Sequence, residues 1–247
     1  MQIKQTSQGA IAYCVTAAQA ITTEWFDVSF WQQQSAVTGS SKGRYITWFV
    51  KPDLEASQNE TQVDKDSEWV LRHYYRGGLI EKLSKDKYLF TGLHKTRAVA
   101  ELALLTLLFN EGFAVPRPIA ANVERSGLYY RADIIIERVA GAQDLVAKLS
   151  TEVMTAEQWR QLGTCIAKFH QRGVYHADLN AKNILITDDE FYLIDFDRGE
   201  IRAPNTKWQA ANLDRLLRSF NKEKGKLPAL AFTESNWQDL LKGYAKP

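Results

Sequence analysis

The sequence has few cysteines, no long apolar run and little net charge, and each shortage argues against a class of protein. Its two cysteines, Cys14 and Cys165, lie too far apart for a disulfide or metal framework, which favours structural thiols in a reducing compartment. The longest strongly apolar stretch, residues 102–109, is too short to span a bilayer. The N-terminus has no basic segment leading into an apolar core, so we expect neither export nor membrane insertion.

The composition is that of a globular protein with a substantial core. Of the 247 residues, 45% are hydrophobic and 24% are charged, which argues against a disordered chain or a fibre. The length fits one large domain or two small lobes that share a cleft. A net charge of +2 does not by itself indicate a partner, and we expect neither nucleic acid nor an obligate protein partner.

The N-terminal third has the pattern of a β-sheet. Residues 44–50 and 69–75 are rich in aromatic and β-branched side chains and are predicted to be strands. Residues 51–68, with six acidic residues, two lysines and no apolar period, are predicted to form a surface loop. Residues 128–139 are predicted to form the returning strand of a hairpin, followed by a buried strand.

Helical spacing appears twice. Apolar residues recur every three or four positions in residues 96–111, which end at Gly112, and again in residues 156–171, which end before Gly173. Gly141 lies between these segments and is expected to open a crossing between lobes.

The predicted fold is α+β and bilobal. We expect a mainly antiparallel β N-lobe in residues 1–140 and a shortened, mainly helical C-lobe in residues 141–247, together one domain. Short strands are predicted at residues 184–186 and 191–194.

The most informative motif is YHADLNAKNILI, which contains Asp178 and Asn183 and is followed by Asp195 at the end of an apolar strand. It resembles the catalytic loop and metal-binding motif of the protein-kinase superfamily. Phosphoryl transfer needs a carboxylate to accept the acceptor hydroxyl's proton, and amide and carboxylate oxygens to hold magnesium on the nucleotide phosphates. Asp178 fits the first role, and Asn183 and Asp195 fit the second.

A purely structural interpretation of this motif is an Asx-turn loop in which Asp178 and Asn183 cap backbone groups. It suits either residue alone, but it does not explain their five-residue spacing together with Asp195 at a strand end. For His176 the structural interpretation is preferred, because the corresponding kinase histidine supports the loop.

Upstream, the segment GSSKGR contains Gly39, Lys42 and Gly43 and precedes a predicted strand. A kinase glycine-rich loop at this place would direct backbone amides at the phosphates, and Lys42 or Arg44 would assist. The segment departs from GxGxxG, and an ordinary hairpin turn explains its glycines equally well.

A kinase also needs a cation on its third strand, paired with a glutamate on the next helix. Glu101 interrupts an apolar helical run, so an ion pair explains it better than unpartnered burial, although an exposed helix glutamate is the alternative. Arg72 occupies the expected strand pattern and is preferred over Lys51, which precedes a proline at a strand end. Arginine can bind phosphate oxygens in a bidentate manner, but it departs from the superfamily's lysine.

Several departures argue against a protein kinase. Asn180 replaces the typical lysine, Asp197 replaces the glycine of the metal motif, and no Ala-Pro-Glu triplet follows. Only 52 residues remain after Asp195, room for about two helices, so a small or glycan-like acceptor is favoured.

Taken together, the chain resembles the 3-deoxy-D-manno-octulosonic acid (Kdo) kinase family of lipopolysaccharide-core kinases. The resemblance covers about residues 38–225 and rests on these motifs: GSSKGR, WVLRHYYRGGLI, the Glu101 helix, VPRPIAA, YHADLNAKNILI, LIDFDRGEIR and NLDRLLRSFNK. It implies transfer of the ATP γ-phosphate, with Mg²⁺, to the 4-hydroxyl of Kdo on a lipid A precursor. It also implies a peripheral location at the cytoplasmic face of a Gram-negative inner membrane.

The charge pattern is compatible with that acceptor. Residues 207–226 contain six basic and two acidic residues, so this segment can face anionic lipid, although a solvated helix face explains it equally well. Within it, Arg215 and Arg218 are candidates for binding the acceptor. The alternatives are a kinase of another sugar or aminoglycoside, and a pseudokinase. The pseudokinase remains an alternative because Arg72 stands where the superfamily normally has lysine.

Overall fold

The computed structural model describes residues 1–14, 20–42, 45–52, 67–76, 86–188 and 190–246. The chain divides into two compact units. The first comprises Met1–Glu111 and Pro116–Ala140, and the second comprises Gly112–Val115 and Gly141–Pro247. The short segment Gly112–Val115 therefore groups with the second unit, because Leu193 N donates to Ala114 O and Phe113 packs on Phe169.

The first unit is built on an antiparallel sheet of eight strands in the order β1-β2-β7-β8-β5-β4-β3, with β6 paired to β8. The strands are β1 Gln2–Thr6, β2 Gly9–Tyr13, β3 Val37–Lys42, β4 Ile46–Val50, β5 Trp69–His73, β6 Tyr88–Leu89, β7 Pro118–Ser126 and β8 Tyr129–Glu137. The unit's helices are α1 Val28–Gln33 and α2 Arg97–Asn110. The predicted N-terminal sheet is thus confirmed, whereas the β1–β2 hairpin and α1 were not predicted.

The buried face of α2 holds this unit together. Val99, Leu102, Leu105 and Leu108 have at most 1% exposure, and α2 packs against β7 and β8. The predicted helix at 96–111 matches α2 to within a residue at each end. Of the predicted acidic loop at 51–68, residues 53–66 lie outside the described residues.

The second unit is mainly helical. Its helices are α3 Leu145–Thr151, α4 Ala156–Arg172, α5 Thr206–Lys226 and α6 Glu234–Tyr244. Its short strands are β9 Gln143–Asp144, β10 Val174–Tyr175, β11 Ile184–Ile186, β12 Phe191–Leu193 and β13 Glu200–Ile201, which pair as β12-β11-β9 and β10-β13. Two helices follow Asp195, as predicted. Among the described residues, no helix is both long and apolar enough to cross a bilayer.

The end of α4 determines where the next loop begins. Thr155 and Gln158 form a capping box at its start, and Gly173 ends it with a left-handed φ of +86°. A Cβ at Gly173 would also lie 2.1 Å from Arg202 O, so the position excludes larger residues. Gly173 thus directs the chain into β10 and the motif that follows it.

Helices α4 and α6 pack at close range through two glycines. A Cβ at Gly163 would lie 2.0 Å from Leu240 O, and a Cβ at Gly243 would lie 1.9 Å from Arg160 O. We expect Gly163→Ala to lower the free energy of unfolding by about 2 kcal/mol or more, because the α6 backbone would have to move. Denaturant titration measures the change.

Gly225 near the end of α5 is the matched control, since a Cβ there meets nothing within 4 Å. Gly225→Ala is expected to raise the free energy of unfolding by about 0.5–1 kcal/mol through helix propensity alone. A Gly163→Ala variant as stable as the parent chain would contradict the proposed close packing.

Candidate active site

Residues 176–183 of the YHADLNAKNILI motif are called the motif loop below. Hydrogen bonds of the Asn180 side chain fix the conformation of this loop. Asn180 Oδ1 accepts hydrogen bonds from Lys182 N at 2.9 Å and Asn183 N at 3.2 Å, which caps the short 3₁₀-helix Ala181–Asn183. Its Nδ2 donates to the backbone oxygen of Asp178 at 3.0 Å and to Asp178 Oδ2 at 3.2 Å. The capping that the sequence assigned to Asp178 or Asn183 is therefore performed by Asn180.

His176 joins this loop to the segment that ends in Asp195. Asp178 N donates to His176 Nδ1 at 3.2 Å, so the ring proton lies on Nε2, which donates to Ile194 O at 3.0 Å. The side chain is buried, and this burial lowers the pKa of His176 below its ordinary value, although Ile194 O and nearby carboxylates act in the opposite direction. A neutral imidazole with both nitrogens engaged agrees with the predicted structural role.

Asp195 lies beside Asn183 because β11 and β12 form a hairpin. Ile184 pairs with Leu193, and Ile194 N donates to Asn183 O at 3.0 Å. Asp195 itself has a left-handed φ of +63°, a conformation that aspartate tolerates better than most residues. The next residue, Phe196, is fully buried against His176 and Phe169 and anchors this turn.

The side chain of Asn183 is anchored to the loop backbone through its amide nitrogen. Its Nδ2 donates to Asp178 O at 3.0 Å, so Oδ1 is left as the acceptor. Among the described residues, no group of three His, Cys, Asp or Glu side chains could hold a metal ion. An amide oxygen and a carboxylate, from Asn183 and Asp195, are instead the candidate cation ligands in the second unit, and both are hard oxygen donors of the kind Mg²⁺ prefers.

The Asp178 carboxylate is half-exposed and contacts a cation. Arg215 Nη1 on α5 donates to Asp178 Oδ1 at 2.6 Å. Arg215 therefore pairs with the motif loop, 37 residues away in the chain, and not with an acidic residue of its own helix. Arg218, three residues further along α5, is exposed, and its side chain makes no hydrogen bond or ion pair with the described part of the chain, so the two arginines have different environments.

In the first unit, Arg72 on β5 and Glu101 on α2 form the predicted ion pair, with Arg72 Nη2 2.6 Å from Glu101 Oε2. The Tyr74 hydroxyl donates to the same oxygen at 2.5 Å. The Glu101 side chain is 1% exposed, whereas Arg72 is 21% exposed. Lys51 follows the end of β4 and is exposed, so Arg72 is the cation that pairs with Glu101, and the contact of Arg72 with phosphate stays a prediction.

Tyr74 was not singled out in the sequence. It lies two residues after Arg72, so the alternation of an extended chain directs both side chains to the same side. That spacing is the signal that would have identified it.

The expectation of a glycine-rich loop stays a prediction for Gly39 and Lys42. Both belong to β3, where Gly39 pairs with Phe49 and Lys42 pairs with Ile46. The strand β4 is rich in aromatic and β-branched residues, and this segment joins the sheet by pairing its backbone with β4. The glycine and serine residues of the segment do not prevent this pairing. Gly43 and Arg44 lie outside the described residues, and their role stays a prediction.

Both cysteines fit the structural interpretation. Burial raises the pKa of the Cys14 thiol, and it raises that of Cys165 to about 12. Neither thiol is a thiolate at neutral pH, so nucleophilic chemistry at these positions is disfavoured.

An antiparallel sheet with the Arg72–Glu101 pair, and a helical unit with the Asp178 loop, define the protein-kinase-like fold. The solved structure of WaaP in complex with acyl carrier protein has this fold, with a TM-score of 0.56 and 14% identity over 100% of this chain and 90% of that chain. Residues 28–244 match the model of the lipopolysaccharide kinase (Kdo/WaaP) family, and the chain belongs to this family.

Curated relatives are similar over nearly the whole chain. The 3-deoxy-D-manno-octulosonic acid kinase of Mannheimia succiniciproducens is 46% identical over 226 residues, 89% of each chain. The protein of the same name from Photobacterium damsela subsp. piscicida is 43% identical over 244 residues, 98% of this chain and 96% of that one.

The buried Glu101 carboxylate makes the Arg72 pair sensitive to loss of one partner. We expect Arg72→Met to lower the free energy of unfolding by about 2–4 kcal/mol, because it leaves a charge without this partner in an apolar environment. The double variant Arg72→Met/Glu101→Met should recover most of that loss, apart from about 1 kcal/mol for the Tyr74 hydroxyl that loses this acceptor. Urea denaturation measures all three chains.

Arg117 is the control, because its ion pair with Glu137, at 3.0 Å, leaves both side chains 22% exposed. Arg117→Met is expected to cost about 1 kcal/mol or less. If the double variant at 72 and 101 is no more stable than Arg72→Met alone, burial of the Glu101 charge does not govern the loss.

Proposed function

We propose that the chain is an ATP-dependent kinase that transfers the γ-phosphate to the 4-hydroxyl of Kdo on a Kdo-lipid A precursor, in lipopolysaccharide inner-core synthesis. The acceptor is supported by the full-length similarity to curated Kdo kinases. The phosphotransfer is supported above all by one observation, that hydrogen bonds through His176 and Asn183 tie the Asp178 loop to the Asp195 segment.

Asp178 is proposed as the catalytic carboxylate. It accepts the proton of the acceptor hydroxyl as the oxygen forms a bond to the γ-phosphorus. The bond from that phosphorus to the β–γ bridging oxygen breaks, and ADP leaves with the electron pair. Asp178 is half-exposed, so a hydroxyl can approach it from solvent.

Asn183 and Asp195 are proposed as the magnesium ligands. The Nδ2 group of Asn183 donates to Asp178 O, which leaves Oδ1 as the acceptor, and Asp195 directly follows Ile194, whose N donates to Asn183 O. These residues fit Mg²⁺, which prefers one or two protein oxygens and keeps its other positions for phosphate and water. When bound, the ion neutralises charge on the nucleotide phosphates.

Arg72 and Glu101 are proposed for the nucleotide. Arg72 would contact ATP phosphate oxygens, while Glu101 and the sheet hold its guanidinium in place. Gly39, Lys42 and Gly43 were expected to assist through a glycine-rich loop. Gly39 and Lys42 lie in β3, and backbone amides of these residues and of Gly43 are proposed to contact the phosphates.

A peripheral location at the cytoplasmic face of the inner membrane is part of this proposal. The basic segment, residues 207–226, corresponds almost completely to the single helix α5. Each of its cations that lies near an anionic surface would contribute about 1 kcal/mol. Arg215 and Arg218 were the two candidates for binding the acceptor, and the proposal rests on Arg215, which contacts Asp178.

We expect Asp178→Asn to reduce turnover by roughly two to four orders of magnitude, because the amide cannot accept the hydroxyl proton. The melting temperature and ATP affinity should stay close to those of the parent chain. Mass spectrometry of a Kdo-lipid A precursor incubated with ATP and Mg²⁺ measures turnover. Asp214→Asn, on the exposed side of α5, is the control and should retain activity. Parent-like turnover of Asp178→Asn would remove this residue from the mechanism.

We also expect Asp195→Ala to weaken Mg²⁺-dependent ATP binding by about tenfold or more, since it deletes a carboxylate ligand. Calorimetric titration of ATP with and without Mg²⁺ measures the effect independently of turnover. Asp188→Ala, exposed in the turn of the same hairpin, is the control. Equal affinities for the parent and the Asp195→Ala chain would count against the metal site.

A further inference from the structure

Helix α5 lies along the motif loop through a stripe of side chains spaced by four residues. Arg215 contacts Asp178, Ser219 Oγ accepts a hydrogen bond from Ala181 N at 2.9 Å, and Glu223 lies 3.7 Å from Lys182 Nζ. Residues four apart share one helix face, so the three contacts fix the rotation of α5 relative to the loop. Arg215 is therefore held next to the carboxylate by the helix as a whole.

The Arg215–Asp178 ion pair contributes little to the free energy of unfolding. The two side chains are 47% and 48% exposed, and ion pairs of this kind contribute about 0–1 kcal/mol. Only one donor of the guanidinium, Nη1, is used in a hydrogen bond to the described part of the chain. A guanidinium has five N–H donors in a planar fork, so the others remain for a ligand.

The Asp178 carboxylate accepts hydrogen bonds at both oxygens, one from a neutral donor and one from a cationic donor. Asn180 Nδ2 contacts Oδ2 and Arg215 Nη1 contacts Oδ1. Each oxygen keeps a second lone pair, so these contacts orient Asp178 without preventing it from accepting a proton. Lys182, the other cation of this loop, is 3.7 Å from Glu223 and makes no ion pair with Asp178.

The proposed acceptor brings a negative charge to this place. Kdo is a sugar acid, and its carboxylate is only a few bonds from the hydroxyl that Asp178 would deprotonate. Two carboxylates in one site repel each other unless a cation lies between them. Arg215 is the cation in contact with Asp178, and its unused donors match a second carboxylate in a bidentate geometry.

We propose that Arg215 is a specificity-determining residue that orients Asp178 and binds the carboxylate of the acceptor sugar, so that the enzyme selects an acid over a neutral sugar. The inference rests on the proposed function and deepens it. It assigns acceptor recognition to Arg215 and not to Arg218, whose side chain makes no hydrogen bond or ion pair with the described residues of the motif loop.

The test compares two acceptors, a Kdo-lipid A precursor and the same molecule with a methyl ester on the Kdo carboxylate. Each acceptor is assayed with the parent chain, Arg215→Gln, Arg215→Lys and the matched control Arg218→Gln. In the parent and in Arg218→Gln we expect the ester to raise the acceptor KM by about tenfold or more, the usual effect of a charged hydrogen bond. In Arg215→Gln the acid and ester should have similar KM values, and kcat should fall because Asp178 is less well oriented. The KM for ATP should change little.

Arg215→Lys keeps the charge but loses the fork, so part of the preference for the acid should remain. If Arg215→Gln has no measurable turnover, calorimetric binding of the acid and the ester without ATP replaces the kinetic comparison. A melting temperature near that of the parent excludes loss of folding as the cause.

Three outcomes overturn the inference: equal use of acid and ester by the parent chain, an undiminished preference for the acid in Arg215→Gln, or an equal loss of preference in Arg218→Gln. In each case phosphorylation of the precursor by the parent chain leaves the proposed function intact. A parent chain that phosphorylates neither acceptor would instead contradict the proposed function itself.

Discussion

The buried imidazole of His176 connects the two segments that carry the candidate catalytic and metal-binding residues of the second unit. One ring nitrogen accepts from the backbone of Asp178, and the other donates to the carbonyl of Ile194, directly before Asp195. A protonated ring would lose the first of these hydrogen bonds, and burial disfavours that protonation. The neutral ring thus holds the candidate base and a candidate metal ligand in one arrangement, and Asn183 adds a second link between them.

Charge compensation follows different rules in the two units. Glu101 is almost fully buried, so it needs Arg72 and Tyr74 to be tolerated at all. Asp178 is half-exposed and would be tolerated without Arg215. The first contact is therefore required by the fold, whereas the second is better explained by what the site binds. This difference is why Arg215 supports a functional inference and an ordinary buried ion pair would not.

Prediction succeeded where the local chain carries the signal. The helices α2 and α4 were found because apolar residues recur at helical spacing and glycines end or follow them. The pair of Arg72 and Glu101 was anticipated because a charge inside an apolar run needs a partner. The strand β3 was not predicted, because Gly39, Ser40 and Ser41 favour loops, yet these residues pair with β4. Backbone hydrogen bonds to an aromatic strand outweigh the weak preference of such residues for loops.

By itself the sequence determined the chemical groups of the site, because the spacing of Asp178, Asn183 and Asp195 is a short-range property that the loop and the β11–β12 hairpin preserve. The tertiary structure decided which groups touch Asp178. Arg215 is 37 residues away from Asp178 in the chain. Asn180 caps the short 3₁₀-helix and also donates a hydrogen bond to the Asp178 carboxylate. Contacts of this kind depend on the rotation of α5 and on the path of the loop, which packing of whole elements fixes and local patterns do not encode.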